Sequence, residues 1–296
     1  MRVLCPVFFP GWSESNRARD FKNIMERHKI HVHTFPFYSK VDTPWDEYDV
    51  NYIKLGPPTL DPNFFTPEIL SNSVNHVAAM FEGPLPGSHT IIAPNQRYFD
   101  MNSEGIYGIP IKYHRIPIDT QLFRPLKKPY ENKDLIVGWA GNVDNWRKHF
   151  PIVQSLEYLD GVTIVCAATA KLNDPGIKNE TMRHYYSMVD IVIQTSESEG
   201  SGTIVLEGAA CGKAIVGFDV GVTPEIVREG KGGICVKKSG NAPSKEEVEK
   251  IREAVMYMEV NKDFVREAGE SNRKYMEEEW NQIPDWIQTL KEASHG

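Results

Sequence analysis

Apolar residues along the chain fall into short unbroken runs, separated by longer stretches where they recur every three or four positions, a rhythm of strands alternating with helices. The run Arg2 to Phe9 ends at the turn residues Pro10 and Gly11, gives way to helical spacing from Asn16 to His28, and is followed by a second run, Ile30 to Phe35. Strand, helix and strand in that order predict a crossover unit of a parallel sheet. From Ser39 to Pro67 the chain is rich in Pro, Asp and aromatics, has no period and predicts no element. Thr66 to Met80 predicts a helix and Thr90 to Pro94 another short buried strand.

From Tyr107 to Pro125 the pattern predicts that the chain leaves this first unit, with Lys127 to Lys133 as a polar linker. Beyond it, Leu135 to Gly141 predicts a strand running into glycine, His149 to Leu159 a helix, and Val162 to Ala168, Asp190 to Gln194, Ala214 to Phe218 and Gly233 to Val236 further strands. These runs are nearly continuous rather than alternating, as strands are when helices cover both faces of a parallel sheet. Ser244 with Glu247 has the spacing of a capping box and opens a helix whose apolar face is Val248, Ile251, Ala254 and Val255. A last helix follows Glu279 and Trp280, striped by Ile283, Trp286, Ile287 and Leu290. The second unit is therefore predicted to be doubly wound α/β.

Composition adds exclusions. With 41% hydrophobic and 25% charged residues, the 296-residue chain is an ordinary globular one. No stretch approaches the roughly 18 apolar residues of a membrane span, and Met1 to Leu4 lead straight into a strand without a secretory core, so a cytoplasmic location is expected. The cysteines Cys5, Cys166, Cys211 and Cys235 lie far apart in apolar or Gly/Ala-rich runs and are expected to be buried thiols. The net charge of -7 sits in the second half: residues 1 to 130 hold 14 basic and 13 acidic side chains, the remainder 19 and 27. No basic stripe of the kind that grips nucleic acid through its phosphates is visible.

The chemistry concentrates in Ser196 to Gly212, which follows a strand and opens a helix at about Thr203. In the loop Gly200, Ser201 and Gly202, the glycines let the backbone turn tightly, and the N–H groups of Gly202, Thr203 and Ile204 at the helix start suit a diphosphate. Glu199 before the loop and Glu207 a turn into the helix flank that anion site. Carboxylates beside a diphosphate make sense if each meets hydroxyl donors, those of a sugar and of a ribose. On spacing alone, an ordinary glycine turn with a solvent-facing Glu207 remains open.

The segment Glu199-x(7)-Glu207, preceded by His184 to Ser196 and followed by Ala214 to Val227, resembles the retaining glycosyltransferases of family 4. That resemblance implies that Glu199 contacts the donor sugar, Glu207 the ribose, and the Gly202 to Ile204 amides the phosphates. Ile116 to Pro125 looks like the family's interdomain segment, and Glu279-Trp280 with the final helix like the helix that returns to the first lobe. The implied fold is α/β of the GT-B type: two Rossmann-like lobes with parallel sheets and an interlobe cleft, the first lobe unusually small. Residues 1–126 would be the acceptor-side lobe, 133–278 the nucleotide-sugar lobe, and a helix at 281–293 would pack back onto the first.

The resemblance implies a UDP- or GDP-linked sugar as co-substrate, no other cofactor and no metal, in keeping with a sequence that has no His/Cys ligand cluster and no Asp-x-Asp. The acceptor hydroxyl could belong to a saccharide, lipid, protein or modified nucleic-acid base. This chain also departs from the family. Asn142 stands where an Arg for the phosphates is usual, and Arg147, beside Lys148, falls where a Lys is usual. Gly11 resembles the first-lobe glycine loop near the diphosphate, while Glu82 stands where the family's catalytic His is expected, with His76 and His89 as further candidates. Two alternatives stay open: a transferase for hydroxymethylated nucleic-acid bases, and a nucleotide-sugar-binding protein that has lost turnover. A nicotinamide-dependent oxidoreductase is excluded, because neither Gly11 nor Gly138 to Gly141 begins a Gly-x-Gly-x-x-Gly.

Overall fold

The computed structural model describes residues 1–7, 13–36, 47–55, 71–77, 87–126, 133–169 and 179–295. It divides the chain into two compact units, Met1–Asp119 with Asn281–Gly296, and Thr120–Trp280.

The first unit is built on a parallel sheet of β1 (Arg2–Val7), β2 (His31–Pro36), β3 (Val50–Leu55), β4 (Ser73–Val77), β5 (Thr90–Ala93) and β6 (Ile111–Tyr113) in the order β2-β1-β3-β4-β5-β6. Helix α1 (Ser13–Arg27) lays Ala18, Phe21, Ile24 and Met25 on one side of it. Three of these strands depart from the expectation. β3 lies in the stretch without a period, β4 occupies part of the expected helix, and β6 lies where the chain was expected to leave the unit. Each is short and polar-rich, and each is fixed by pairing: β4 lies between β3 and β5, with Tyr52 opposite Val74 and Val74 opposite Thr90. Five residues are too few to separate a strand from a helix by period.

The final helix, Ile283–Ala293, completes this unit's core with Ile283, Trp286, Leu290 and Ala293. The Trp286 ring meets Phe21 and Tyr52, each at 5.3 Å between centroids, and its Nε1–H donates to the Arg115 carbonyl at 2.9 Å. His114 is buried against the same indole, with Nε2 2.7 Å from Thr289 Oγ1. Desolvation lowers the His114 pKa from 6.5 to about 4, Lys112 pushes the same way, and Asp285 and Glu292 oppose.

The folded ring thus stays neutral where the unfolded chain takes up a proton. Stability should fall as pH drops from about 6.5 to about 4 and be insensitive to this group above that window. At pH 5 the loss is no more than about 2 kcal/mol. His114→Gln should remove it, so the melting point of the variant should fall less between pH 7.5 and pH 5 than that of the native chain; equal falls would refute the assignment.

The second unit carries β7 (Leu135–Asn142), β8 (Val162–Thr169), β9 (Ile191–Gln194), β10 (Ala214–Phe218) and β11 (Gly233–Val236), all parallel, in the order β11-β10-β9-β7-β8. Its core joins Leu135, Val137 and Trp139 to Ile152, Val153 and Leu156 on one segment and Ile251, Val255 and Met258 on helix Lys245–Val260. Ser244 and Glu247 form the capping box at that helix's start. The unit begins at Thr120, before the polar stretch expected to be the linker. Arg273 is the reason: its guanidinium donates to the carbonyls of Thr120, Phe123 and Ala210 at 3.2, 2.8 and 2.7 Å, tying the 120–123 segment to the second unit.

The cysteine expectation holds in part. Cys5 and Cys211 are buried, and desolvation, followed by Glu207, pushes the Cys211 thiol up to about 12. Cys235 is half-buried and Cys166 is exposed, because β8 is the sheet's edge strand. No helix among the described residues is long and apolar enough to cross a membrane.

Candidate functional site

The chain enters the second sheet at β7, moves out to β8, then returns to the other side of β7 at β9. In open parallel sheets such a reversal leaves a crevice at the carboxyl ends of the two diverging strands, here after Asn142 and after Gln194. The glycine loop and both glutamates follow β9 at that point.

After β7, Asn142 Oδ1 accepts the Asp144 N–H at 2.8 Å and so holds the local turn. A short 3-10 turn, Trp146–Lys148, follows, closed by His149 in a left-handed conformation at φ 46°. Arg147 turns its guanidinium over the Trp146 ring at 5.2 Å. Lys148 instead reaches across to Glu199, its Nζ on Oε1. Two bonds fasten this turn to the segment that follows β9: Glu197 N–H donates to the Arg147 carbonyl and Thr195 Oγ1–H to the Lys148 carbonyl, both at 2.7 Å.

After β9 the loop rises to Gly202, whose φ of 80° reverses the backbone into helix Thr203–Ala210. Among the described residues, no acceptor meets the N–H groups of Gly202, Thr203 and Ile204. Those three donors, with the positive end of the helix dipole, make an anion site. The turn after β10 supports the loop from behind: Val222 N–H donates to the Ser201 carbonyl at 3.1 Å. Gly221, at φ 55°, must be glycine there, since a Cβ would sit 2.9 Å from Glu199 Cβ.

The glutamates differ in setting. Glu199 is partly exposed, and Oε1 takes both Lys148 Nζ and the hydroxyl of Ser196, the latter at 2.7 Å. Glu207 is only 2% exposed and accepts from Tyr186 Oη at 2.9 Å. It is therefore an inward carboxylate, which disposes of the solvent-facing helix residue left open by spacing. Burial, then Glu207, raises the Tyr186 pKa well above its usual value, so the phenol stays a donor. Beneath the loop, His149 Nε2 and Glu197 Oε2 face each other at 3.9 Å, and desolvation, opposed by Glu197, lowers the histidine's pKa.

The structure thus gathers Lys148, Glu199, Gly200, Ser201, Gly202, Thr203, Ile204 and Glu207 at the end of one sheet. Asn142 and Arg147 stand at the same end but are engaged locally. Gly11, Glu82 and the side chain of His76 lie outside the described residues. His89 precedes β5, at the amino end of the first sheet, away from the carboxyl ends where ligands bind. The sequence reading assigned no role to Ser196, Gln194 or Tyr186. The three-residue spacing of Ser196 and Glu199 was the available signal; Tyr186 meets a residue 21 positions away and gave none. Among the described residues, no group of three or more His, Cys, Asp or Glu side chains is arranged to hold a metal ion.

Residues 174–274, which contain the loop and both glutamates, match the family model described as glycosyl transferases group 1. Alpha-maltose-1-phosphate synthase of Mycolicibacterium smegmatis is 33% identical over 110 residues, 37% of this chain and 28% of that protein, so the match spans less than a third of the curated relative. Solved structures align along the whole chain. Anabaena HepE in complex with UDP-glucose gives a TM-score of 0.67 at 15% identity, covering 100% of each chain. Sucrose-phosphate synthase from Thermosynechococcus elongatus gives 0.66 at 12%, covering 100% of this chain and 98% of that one. At these identities the likeness shows the fold: α/β with two parallel sheets.

Proposed function

We propose that the protein is a retaining glycosyltransferase that moves a sugar from a UDP- or GDP-linked donor to an acceptor hydroxyl, with no metal ion and no cofactor beyond the donor. One observation carries this reading: a helix start with three N–H groups lacking acceptors, flanked by Glu199 and Glu207, all within the stretch that matches the group 1 model. The amides of Gly202, Thr203 and Ile204 receive the diphosphate, and Lys148 adds a positive charge beside them. As the bond from sugar to phosphate breaks, negative charge grows on the leaving diphosphate, where each well-aimed donor contributes about 3 kcal/mol to the barrier reduction. Glu207, held by Tyr186, accepts from the ribose, and Glu199 from the sugar.

UDP-glucose is the first donor to try, since HepE was crystallised with it. The test is a thermal-shift panel of UDP-glucose, UDP-N-acetylglucosamine, GDP-mannose and ADP-glucose, in EDTA. A ligand at 100 times its dissociation constant stabilises by about 2.7 kcal/mol, so a bound donor should raise the melting point by several degrees. Release of nucleoside diphosphate with an acceptor mixture, and the anomeric coupling in the product, then report transfer and retention. No shift with any donor would refute the assignment.

A further inference from the structure

Both contacts of Glu199 fall on one oxygen. Oε1 takes Lys148 Nζ and, at 2.7 Å, Ser196 Oγ, whereas among the described residues Oε2 has no partner. A carboxylate pinned through one oxygen presents the other in a fixed direction, and the pinning here comes from two sides, the 3-10 turn after β7 and the loop after β9.

Ser196 is fully buried and lies 2.9 Å from Gln194 Oε1 as well as 2.7 Å from Glu199 Oε1. Its hydroxyl carries one proton. The charged carboxylate is the stronger acceptor and takes it. Ser196 Oγ is then left with lone pairs facing Gln194, whose side chain is 2% exposed and whose Nε2 has no acceptor. Turning that amide end for end, which leaves its bulk in place, points Nε2–H at Ser196 Oγ and gives both the N–H and the hydroxyl oxygen a partner. A one-directional chain results: Gln194 donates to Ser196, and Ser196 donates to Glu199. The amide is wedged in turn, because a Cβ on Gly217 would stand 2.8 Å from Gln194 Cβ and one on Gly202 3.2 Å from Nε2.

We propose that Ser196, backed by Gln194, is a positioning residue for sugar recognition. Together with Lys148 it occupies Oε1 of Glu199 and leaves Oε2 as the one carboxylate oxygen offered to a hydroxyl of the donor sugar. This rests on the nucleotide-sugar reading of the site. Selectivity for a hydroxyl-bearing sugar follows, since a fixed acceptor left without its donor opposes binding of the analogue that lacks it.

The experiment compares, by calorimetry, the affinity for a nucleoside diphosphate with that for its glucose conjugate, using UDP, GDP and ADP and their glucosides. In the native protein the conjugate that binds should do so more tightly than its diphosphate. Ser196→Ala should weaken the conjugate about tenfold while changing the diphosphate less than twofold, and Ser196→Thr, which keeps the hydroxyl, should restore most of the loss. Gln194→Leu should act in the same direction by about threefold, and it carries the test if Ser196→Ala does not fold. Equal loss for conjugate and diphosphate, or a native conjugate no tighter than the diphosphate, would overturn the positioning role while leaving the nucleotide site intact. No binding of any diphosphate by the native protein would overturn both.

Discussion

Glu199→Ala is expected to lower turnover of the donor about a hundredfold and to raise its KM about tenfold, at least as much as loss of its support Ser196 weakens donor binding. The carboxylate is held by Lys148 and Ser196 rather than by the phosphates' amides, so its removal leaves the helix start intact. What is lost is the alignment of the sugar relative to its leaving group, a contribution felt in the transition state. Glu207→Ala should behave differently. It removes the partner of the buried Tyr186 hydroxyl, costing about 1–3 kcal/mol of stability, and it should raise the donor's KM about tenfold with a smaller change in turnover. Steady-state kinetics on both variants, with melting curves alongside, check the contrast. Wild-type kinetics in both would remove the donor assignment, and identical KM and turnover changes would remove the division of roles.

How much of this was legible in the sequence depends on the strand. In the second unit, β9 and β10 are buried along their whole length and β7 over its first five residues, and they read as unbroken apolar runs. In the first, β3, β4 and β6 carry Asn51, Asn75 and Lys112 within a few residues and owe their conformation to pairing, β3 and β4 with a neighbour on either side and β6, at the edge, with β5. No local pattern encodes that pairing. The site divides in the same way. Glu199, Glu207 and the glycines are close in sequence, and spacing alone placed them at a helix start. Which of Arg147 and Lys148 faces the loop depends on the tight 3-10 turn ending at His149, a left-handed residue that no composition rule anticipates. Asn142 stands where the family has an Arg, but its side-chain oxygen is used for its own turn, and the cation that reaches the loop is Lys148, on Glu199.

The largest effect on stability is expected at Trp286, far in sequence from every strand it covers. The indole is fully buried, meets Phe21, Tyr52 and His114 at 5.3, 5.3 and 5.2 Å, and donates to the Arg115 carbonyl. Trp286→Ala leaves a cavity where α1, β3 and the final helix meet and strands a part-buried carbonyl, together costing about 3–5 kcal/mol. Trp286→Phe keeps an aromatic ring but not the donor and should cost less than half as much. Urea titration followed by circular dichroism measures both, and the final helix should lose its protection from hydrogen exchange in the alanine variant before β7 to β11 do, because those strands lie in the other unit. If the alanine variant costs less than about 1 kcal/mol, the helix is docked by Ile283, Leu290 and Ala293 alone, and the aromatic cluster is not what joins residues 281–296 to the first sheet.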